Sequence, residues 1–304
     1  MRLISVGDLV IDYYYDNGKL IAVDGGISVH NIIANLASMG LDTCVIGSCG
    51  TDIKGEIAIK SLKNLKVDIS HIKKNPQIST RVMHINFINN DFTSKRRCPV
   101  CGNKEWYEKD FVTLTDVLNK IKKDDMIVLA GINELNKSIL DNCSNKAFID
   151  IGYYNEFEKY KDQYIIDFFN RKFEIININE RVDNYIKDRF HGKNIYNGKI
   201  VIITRGKRGA TFIYKNEKTE KDLIPTKEID PNGAGDAFFA SVIFDYLTDK
   251  SFDLDKAFNN ATNLTSKVVS CLGARGHLHN LFEVEKENDS CACKSLILKR
   301  NPNN

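Results

Sequence analysis

The stretch that decides the fold is DPNGAGD at residues 230–236, followed directly by the apolar run AFFASVIF at residues 237–244. This pattern predicts a tight turn that opens into a buried helix. The first N–H groups of a helix lack partners within the helix and attract anions, and Gly233 and Gly235 let the backbone approach a phosphate closely. Asp236 at the junction can accept a proton from a hydroxyl group. By itself, the stretch fits either phosphoryl transfer or an ordinary turn with an acid in the first helical turn.

Length and composition are those of an ordinary globular protein. The 304 residues suit one large α/β domain or two modest ones, with 42% hydrophobic and 27% charged residues. The net charge of +3 is too small to predict a nucleic-acid or membrane partner. No apolar stretch approaches the ~20 residues of a membrane span, and the first residues, MRLISVGD, contain no signal-peptide core. We therefore expect a cytoplasmic protein.

Short β-rich runs alternate with helical periods along the chain. The predicted strands are residues 3–6, 43–46, 126–129, 147–149, 173–176, 199–204 and 210–214. The predicted helices are residues 31–39, 54–65, 114–121, 163–169, 181–186, 235–247 and 254–269. This alternation indicates an α/β fold with a parallel sheet covered on both faces.

Two further short runs, residues 20–23 and 80–88, look like strands without partner helices. They predict a small separate sheet that covers a site at the C-terminal edge of the parallel strands, where open α/β sheets bind ligands. The tail from about residue 285 looks irregular.

Three more motifs precede the 230–236 stretch. They are Gly25-Gly26 with Asn31, the run NINE at residues 177–180 and the run TRGKRGA at residues 204–210. In this order the four motifs resemble those of the ribokinase/PfkB-type carbohydrate kinases, over nearly the whole chain. The resemblance implies a three-layer sandwich with a mostly parallel central sheet and a small β-sheet lid. It implies one kinase domain over residues 1–304, with the lid at roughly 12–25 and 80–112 and a cysteine-containing insertion at 95–107.

The resemblance implies an ATP-dependent kinase that phosphorylates a hydroxyl group of a sugar or sugar-like molecule. Asp236 would be the general base, and the N–H groups of Gly233, Ala234 and Gly235 would stabilise charge on the transferred phosphoryl group. A nucleoside kinase of the same fold and a non-catalytic, ligand-binding sensor are the alternatives. Pairing of two copies into a homodimer through the lid also stays open.

On the nucleotide side, Asn177 and Glu180 would organise Mg²⁺, with Glu180 acting through water, because magnesium keeps several waters and needs few protein ligands. Taken alone, the Asn-x-x-Glu pattern favours a capped helix over a metal site, and the order of the four motifs reverses that preference. The remaining positions that match the nucleotide site are Thr204, Gly206, Gly209 and Gly273. In the family, the position of Asp230 often belongs to a monovalent-cation site, which makes K⁺ a candidate cofactor.

On the acceptor side, the positions that match the family's sugar contacts are Asp12, Gly25, Gly26 and Asn31. Carboxylates and amides suit paired sugar hydroxyls because they form two hydrogen bonds each. One extra residue lies between Gly26 and Asn31. The family pattern therefore does not identify a specific sugar for this chain. We expect the adjacent His30 to be a packing residue.

The insertion contains the run KRRCPVCG at residues 95–102, and a second cysteine pair, Cys291 and Cys293, lies in the tail. Cys-x-x-Cys-Gly is typical of a zinc knuckle, so Cys98, Cys101, Cys291 and Cys293 could form one structural four-thiolate site. A redox pair and an incidental Cys-x-Cys are the alternatives. For Trp106 and Tyr107 we favour packing on the knuckle over lining the mouth of the acceptor site.

Overall fold

The computed structural model describes residues 1–88, 91–152, 154–215, 217–223, 226–286, 291 and 296–298. Their strands are β1 (Leu3–Val6), β2 (Val10–Asp16), β3 (Lys19–Gly25), β4 (Thr43–Gly50), β5 (Asp68–Asn75), β6 (Arg81–Ile88), β7 (Asp91–Lys95), β8 (Met126–Ala130), β9 (Ala147–Ile151), β10 (Phe173–Asn179), β11 (Gly198–Thr204), β12 (Ala210–Tyr214), β13 (Glu217–Lys221), β14 (Val284–Lys286) and β15 (Leu296–Leu298). Their helices are α1 (Ser28–Ser38), α2 (Ile53–Asn64), α3 (Leu114–Leu118), α4 (Glu134–Asn142), α5 (Asp162–Phe169), α6 (Glu180–Arg189), α7 (Ala234–Thr248) and α8 (Leu254–Val269). Within these residues, no helix is long and apolar enough to cross a membrane.

The main sheet runs in the order β13-β12-β11-β10-β9-β8-β1-β4-β5. The pairs from β11 through β5 are parallel, and β12 and β13 are antiparallel at one edge. The predicted mostly parallel central sheet is therefore confirmed. The register sets Asn177 of β10 beside Asp150 of β9, and Asn179 beside Thr204 of β11. Polar side chains thus gather at the C-terminal ends of three neighbouring strands.

Helices cover both faces of this sheet. Successive strand residues face opposite sides, so Phe148 and Ile175 belong to the apolar core shared with α1, α7 and α8. Their neighbours Ile149 and Ile176 belong to the core on the other face, which α4, α5 and α6 cover. This is the predicted three-layer arrangement.

A second, four-stranded sheet has the order β3-β2-β6-β7. It is mixed, since β2 is antiparallel to β3 but parallel to β6. Tyr13, Tyr15 and Val82 of this sheet pack with Ile57 of α2 in a separate apolar cluster. We call this second sheet the lid sheet.

The described part of the tail differs from its prediction. Instead of being irregular, Val284–Lys286 pairs antiparallel with Leu296–Leu298. Just before this pair, Phe282 and Val23 exchange backbone hydrogen bonds of 3.0 and 3.1 Å, which attaches the tail to the edge of the lid sheet. Strands of three residues are too short to show a two-residue alternation, so the sequence pattern missed them.

Candidate active site

A cavity of about 620 Å³ lies at the C-terminal ends of β8 to β11, and the lid sheet contributes one of its walls. This is the edge at which open parallel sheets bind ligands. Of the residues predicted from the sequence to form the site, those that line the cavity are Asp12, Asn31, Asn177, Thr204, Gly233, Gly235 and Asp236.

The N-terminus of α7 opens into this cavity. Gly233 precedes the helix with a φ of 81°, and a Cβ atom there would lie 2.7 Å from the Cβ of Ala274, so only glycine fits. The Ala234 N–H donates to the Pro231 carbonyl at 3.2 Å. In the described part of the chain, the N–H groups of Gly233 and Gly235 have no protein acceptor. Two of the three predicted amides are therefore available to an anion at the positive end of the helix.

Asp230 holds the loop that carries these amides. Its two carboxylate oxygens accept the N–H groups of Asn232 at 2.9 Å and Gly273 at 2.7 Å. Burial raises the pKa of Asp230 to about 6. The residue ties the loop before α7 to the loop after α8, and this role does not depend on a bound cation.

Asp236 lies at the floor of the cavity, against the first turns of α1. Its carboxylate accepts hydrogen bonds from Ser28 Oγ at 2.5 Å and Asn31 Nδ2 at 2.8 Å. Burial raises the pKa of Asp236, and these two hydrogen bonds and the charge of Arg275 partly offset the increase. A buried carboxylate with a raised pKa is suited to accept a proton.

Sequence reasoning missed Ser28 and Asp150. Asp150 Oδ2 lies 2.8 Å from Ser28 Oγ, and Asp150 Oδ1 accepts a hydrogen bond from Asn177 Nδ2 at 2.6 Å. The pKa of Asp150 is raised by burial and by the charge of Asp236. The available signal was an acid at the C-terminal end of the buried strand Ala147–Ile151, where ligands of parallel sheets bind.

The structure also bears on the Asn-x-x-Glu motif. Asn179, not Asn177, is the N-cap of α6, since its side chain accepts the Val182 N–H at 2.9 Å. Asn177 instead lines the cavity, and among the described residues its buried Oδ1 atom has no hydrogen-bond partner. Glu180 forms an ion pair with Arg208 and is not among the residues that line the cavity.

The oxygen atoms on this side of the cavity fit the preference of magnesium for hard ligands. They include the unpartnered Asn177 Oδ1 and the carboxylates of Asp150 and Glu156, all of which line the cavity. Thr204 lines the same region, whereas Gly206 and Gly209 lie in the turn after β11, where the Gly209 carbonyl accepts the Arg205 N–H at 2.8 Å.

Asp12 lies in the wall that the lid sheet contributes. Its carboxylate accepts hydrogen bonds from the Tyr14 hydroxyl at 3.3 Å and from Asn232 Nδ2 at 3.4 Å. Burial raises the pKa of Asp12 to about 7, although the charge of Arg275 opposes the increase. A Cβ atom at Gly26 would lie 2.2 Å from Asp12 Oδ1, so a larger residue at this position would displace the carboxylate.

Arg275 is fully buried behind the acceptor side of the cavity. It donates to Asn31 Oδ1 at 2.9 Å, Ser61 Oγ at 2.9 Å and the Gly26 carbonyl at 3.1 Å. A Cβ atom at Gly25 would lie 2.5 Å from Arg275 Nη1. Gly273 was predicted to lie on the nucleotide side. Arg275, two residues later, instead bonds to Gly26 and Asn31, which were expected to contact the acceptor.

Arg96 and Trp106 line the far end of the cavity. The Arg96 guanidinium lies 4.4 Å from the centre of the Trp106 ring, and its Nη1 atom is 3.0 Å from both carboxylate oxygens of Glu108. Trp106 therefore packs against Arg96 and also lines the cavity, so both alternatives considered for it apply. Tyr107 packs edge-on against Phe111.

His30 is a packing residue, as predicted. It is buried, with Nδ1 3.0 Å from Ser5 Oγ and Nε2 3.1 Å from the Gly7 carbonyl. Burial lowers its pKa to about 3, so the ring is neutral near neutral pH.

Three of the four predicted zinc ligands meet beside the lid sheet. The Sγ atoms of Cys98, Cys101 and Cys291 lie within 4.8 Å of one another. Cys293 lies outside the described residues.

Comparison with known proteins assigns this chain to a family. A model described as "pfkB family carbohydrate kinase" matches residues 28–280. The chain is 24% identical to a 5-dehydro-2-deoxygluconokinase from Mesomycoplasma hyopneumoniae strain 7448, over 98% of this chain and 94% of the relative.

Solved structures show the same fold. A nucleoside kinase from Methanocaldococcus jannaschii, described as an archaeal member of the ribokinase family, matches with a TM-score of 0.71 and 19% identity, over 91% of this chain and 94% of that one. A sugar kinase from Pyrococcus horikoshii in complex with ATP matches with a TM-score of 0.73 and 18% identity, over 90% and 93% of the two chains. Since the family model matches most of the chain, the protein belongs to the pfkB family of carbohydrate kinases and is an ATP-dependent kinase.

Proposed function

We propose that this kinase transfers the γ-phosphoryl group of ATP to a hydroxyl group of a sugar-like acceptor, with Asp236 as the general base. The observation that carries the proposal is the position of the Asp236 carboxylate, which faces the cavity one residue after the available Gly235 amide. The acceptor oxygen attacks the γ-phosphorus, the bond from that phosphorus to the bridging oxygen of ADP breaks, and the hydroxyl proton moves to Asp236. The amides of Gly233 and Gly235 bind the charge on the transferred group.

Asn177, Asp150 and Glu156 supply the oxygen atoms that would hold magnesium and its waters on the nucleotide side. When bound there, the ion would neutralise phosphate charge. Participation of Glu180 through water requires release from its ion pair with Arg208. Potassium ligation by Asp230, and nucleotide contacts from Thr204, Gly206, Gly209 and Gly273, stay predictions from the family resemblance.

The first experiment replaces the base. The Asp236→Asn variant keeps the shape and the contact with Ser28 but cannot take the proton, so kcat should fall by about 10²- to 10⁴-fold. ATP affinity, measured by calorimetry, should change little. Asp245→Asn is the control, because Asp245 lies on the same helix but bonds to Asn260 instead of facing the cavity. Turnover by Asp236→Asn at the wild-type rate would rule out this mechanism.

The chemistry of the cavity favours a sugar acid as the acceptor. Asp12 and Asn31 can bind hydroxyl groups. The Arg96 guanidinium at the far end meets Glu108 through Nη1 and can bind a carboxylate through Nη2 and Nε. The relative from Mesomycoplasma is named for a deoxygluconate substrate, which is an acid.

The acceptor is tested with a panel that pairs each sugar acid with its neutral analogue and includes nucleosides. Arg96→Gln should raise KM for the acid but not for the neutral analogue, whereas Lys95→Gln, with an exposed side chain that does not line the cavity, should change neither. Equal turnover of acids and neutral sugars by the wild-type enzyme would reject the sugar-acid assignment.

Trp106 in the cavity wall favours a nucleoside as the second candidate, since bases stack on aromatic rings. Phosphorylation of nucleosides alone in the same panel would select it. A protein that binds these ligands without any turnover would be the sensor instead.

A further inference from the structure

The Sγ atoms of Cys98 and Cys291 are 3.4 Å apart, and Cys101 completes a group whose Sγ atoms all lie within 4.8 Å of one another. We call these three residues the cysteine cluster. A disulfide bond would need about 2.05 Å between sulfurs. Thiolates around a tetrahedral zinc ion, with Zn–S distances of about 2.3 Å, lie about 3.8 Å from one another. The spacing of the cluster fits shared metal ligation better than a disulfide.

The backbone turn holds two of these sulfurs side by side. The Gly102 N–H donates to the Cys98 carbonyl at 3.0 Å, and the Cys98 N–H donates to the Asn103 carbonyl at 2.8 Å. Gly102 adopts a φ of 71°, a left-handed conformation that glycine reaches at low cost. The result is a closed turn of the kind that presents two thiolates to one metal ion.

The third sulfur comes from a chain segment 193 residues away. Phe282, upstream of Cys291, pairs with Val23 at the edge of the lid sheet. Cys291 and Phe282 both pack on the apolar cluster that contains Tyr15, Val82 and Cys98. Two described residues of the tail, Phe282 and Cys291, therefore contact the lid sheet, and Cys291 also reaches the cysteine turn.

The surroundings of Cys98 also suit a thiolate. The Tyr15 hydroxyl lies 3.9 Å from Cys98 Sγ and 3.0 Å from His84 Nδ1. If Nδ1 of His84 carries the hydrogen, it donates to the tyrosine oxygen and leaves the tyrosine hydrogen free to donate to sulfur. Hydrogen bonds to ligand atoms of this kind orient metal ligands.

Cys44, Asp68 and His71 form a second group of residues that could hold a metal ion. They lie on strands β4 and β5 instead of a closed turn, and only one of them is a cysteine. Burial raises the pKa of Cys44 to about 12, and Asp68 pairs with Arg2 at 3.5 Å. The group therefore offers one sulfur ligand and a carboxylate that Arg2 already neutralises.

We propose that the cysteine cluster binds a structural zinc ion that clamps the tail to the lid sheet and positions the far wall of the cavity. Cys98, Cys101 and Cys291 supply three of the four ligands that a structural zinc ion takes. Arg96, two residues before Cys98, lines the cavity against Trp106, and the neighbouring Glu105 carbonyl accepts the Val82 N–H at 2.9 Å. Movement of the turn would therefore shift the acceptor wall and leave Asp236 in place.

The test measures zinc in the full-length protein, purified without chelators or metal-affinity resin, by inductively coupled plasma mass spectrometry. The wild-type protein should contain about one zinc ion per chain. Cys98→Ser and Cys101→Ser should lose it, whereas Cys143→Ser should retain it because Cys143 lies outside the cluster. Zinc retained by both cluster variants would overturn the proposal, as would wild-type protein that lacks metal and has reactive thiols or a Cys98–Cys291 disulfide.

If the cluster variants fail to fold, wild-type protein produced with Co²⁺ replaces them. Thiolate-to-cobalt charge-transfer bands would support the site, and cobalt-loaded protein without such bands would overturn it. A kinetic measurement on the zinc-free protein tests the positioning role. This measurement rests on the proposed function, whereas the measurement of metal content does not. Loss of zinc should raise KM for the acceptor by about tenfold with little change in KM for ATP; an unchanged acceptor KM would overturn the positioning role.

Discussion

Ser28 lies between the two carboxylates at the cavity floor, with its Oγ atom 2.5 Å from Asp236 and 2.8 Å from Asp150. A serine hydroxyl has one hydrogen to donate, so one of the two contacts requires a protonated carboxyl group. Burial raises the pKa of both acids, and the charge of Asp236 raises that of Asp150 further. In the metal-free site, a proton on Asp150 satisfies all three groups and leaves Asp236 ionised and ready to act as a base. Magnesium bound at Asp150 would replace that proton.

Removing the serine hydroxyl should change the pH dependence of the enzyme. Ser28→Ala deletes a hydrogen bond that stabilises ionised Asp236, so the pKa of Asp236 rises and the acid limb of the kcat/KM profile moves to higher pH. A hydrogen bond to a charged group contributes about 1.5–3 kcal/mol, which corresponds to a shift of about 1–2 pH units.

The controls for this profile come from the same helix. Ser28→Thr keeps the hydroxyl and should restore the wild-type acid limb. Ser38→Ala, at the exposed end of α1, should leave the profile unchanged. A Ser28→Ala profile identical to that of the wild type would contradict the role given to this hydrogen bond.

At the scale of elements, the N-termini of α1 and α7 meet at the site. Ser28 is the first residue of α1 and Asp236 the third of α7, and both helices belong to the same apolar core. Helix α7 is buried around much of its circumference, as its continuous apolar run predicts. Since neither helix can shift without disturbing this core, the carboxylate and the amides keep a fixed geometry.

Alanine substitutions at Gly233 and Gly235 should have different effects, one on stability and the other on catalysis. Gly233→Ala forces a left-handed residue to carry a Cβ atom against Ala274, which should cost about 1–3 kcal/mol of unfolding free energy. At Gly235 a Cβ atom meets nothing within 4 Å. Gly235→Ala should therefore keep its stability but place a methyl group beside the bound phosphate and lower kcat/KM. Denaturant unfolding and kinetics on both variants check this contrast, and equal stability of the two would refute it.

Some elements were predictable from local pattern and others were not. Strand β11 is an apolar run, and its bounds were predicted within one residue. Strand β13, with the sequence EKTEK, has little β-propensity and becomes a strand because β12 offers it an antiparallel partner. Strand β2 was missed even though one of its residues, Asp12, was predicted to contact the acceptor.

At the scale of the molecule, Arg275 connects the lid sheet to the helical layer. Its guanidinium bonds to the Gly26 carbonyl, to Asn31 on α1 and to Ser61 on α2. The acids whose charges act on it include Asp12, Asp24 and Asp236. One buried cation thus compensates several carboxylates around the acceptor side.

Loss of that cation should destabilise the whole protein. Arg275→Met leaves buried carboxylates without compensation, so the free energy of unfolding at neutral pH should fall by about 3–5 kcal/mol. Arg171→Met is the control, since Arg171 is a partly exposed residue paired with Asp141 and should change stability by less than about 0.5 kcal/mol. Similar denaturation midpoints for the two variants would contradict the role of Arg275.

The sequence by itself determined the α/β layering, the mostly parallel sheet, the small second sheet and the turn before α7, because each rests on a local pattern of apolar residues and glycines. The tertiary structure alone decided which side chains meet. Ser28 and Asp236 are 208 residues apart, Asn31 and Arg275 are 244 apart, and Cys98 and Cys291 are 193 apart. Contacts of this range depend on how strands and helices pack, and local periodicity carries no information about that packing. For this reason Arg275, and the contact of Asp150 with Ser28, became visible as parts of the site only in the folded chain.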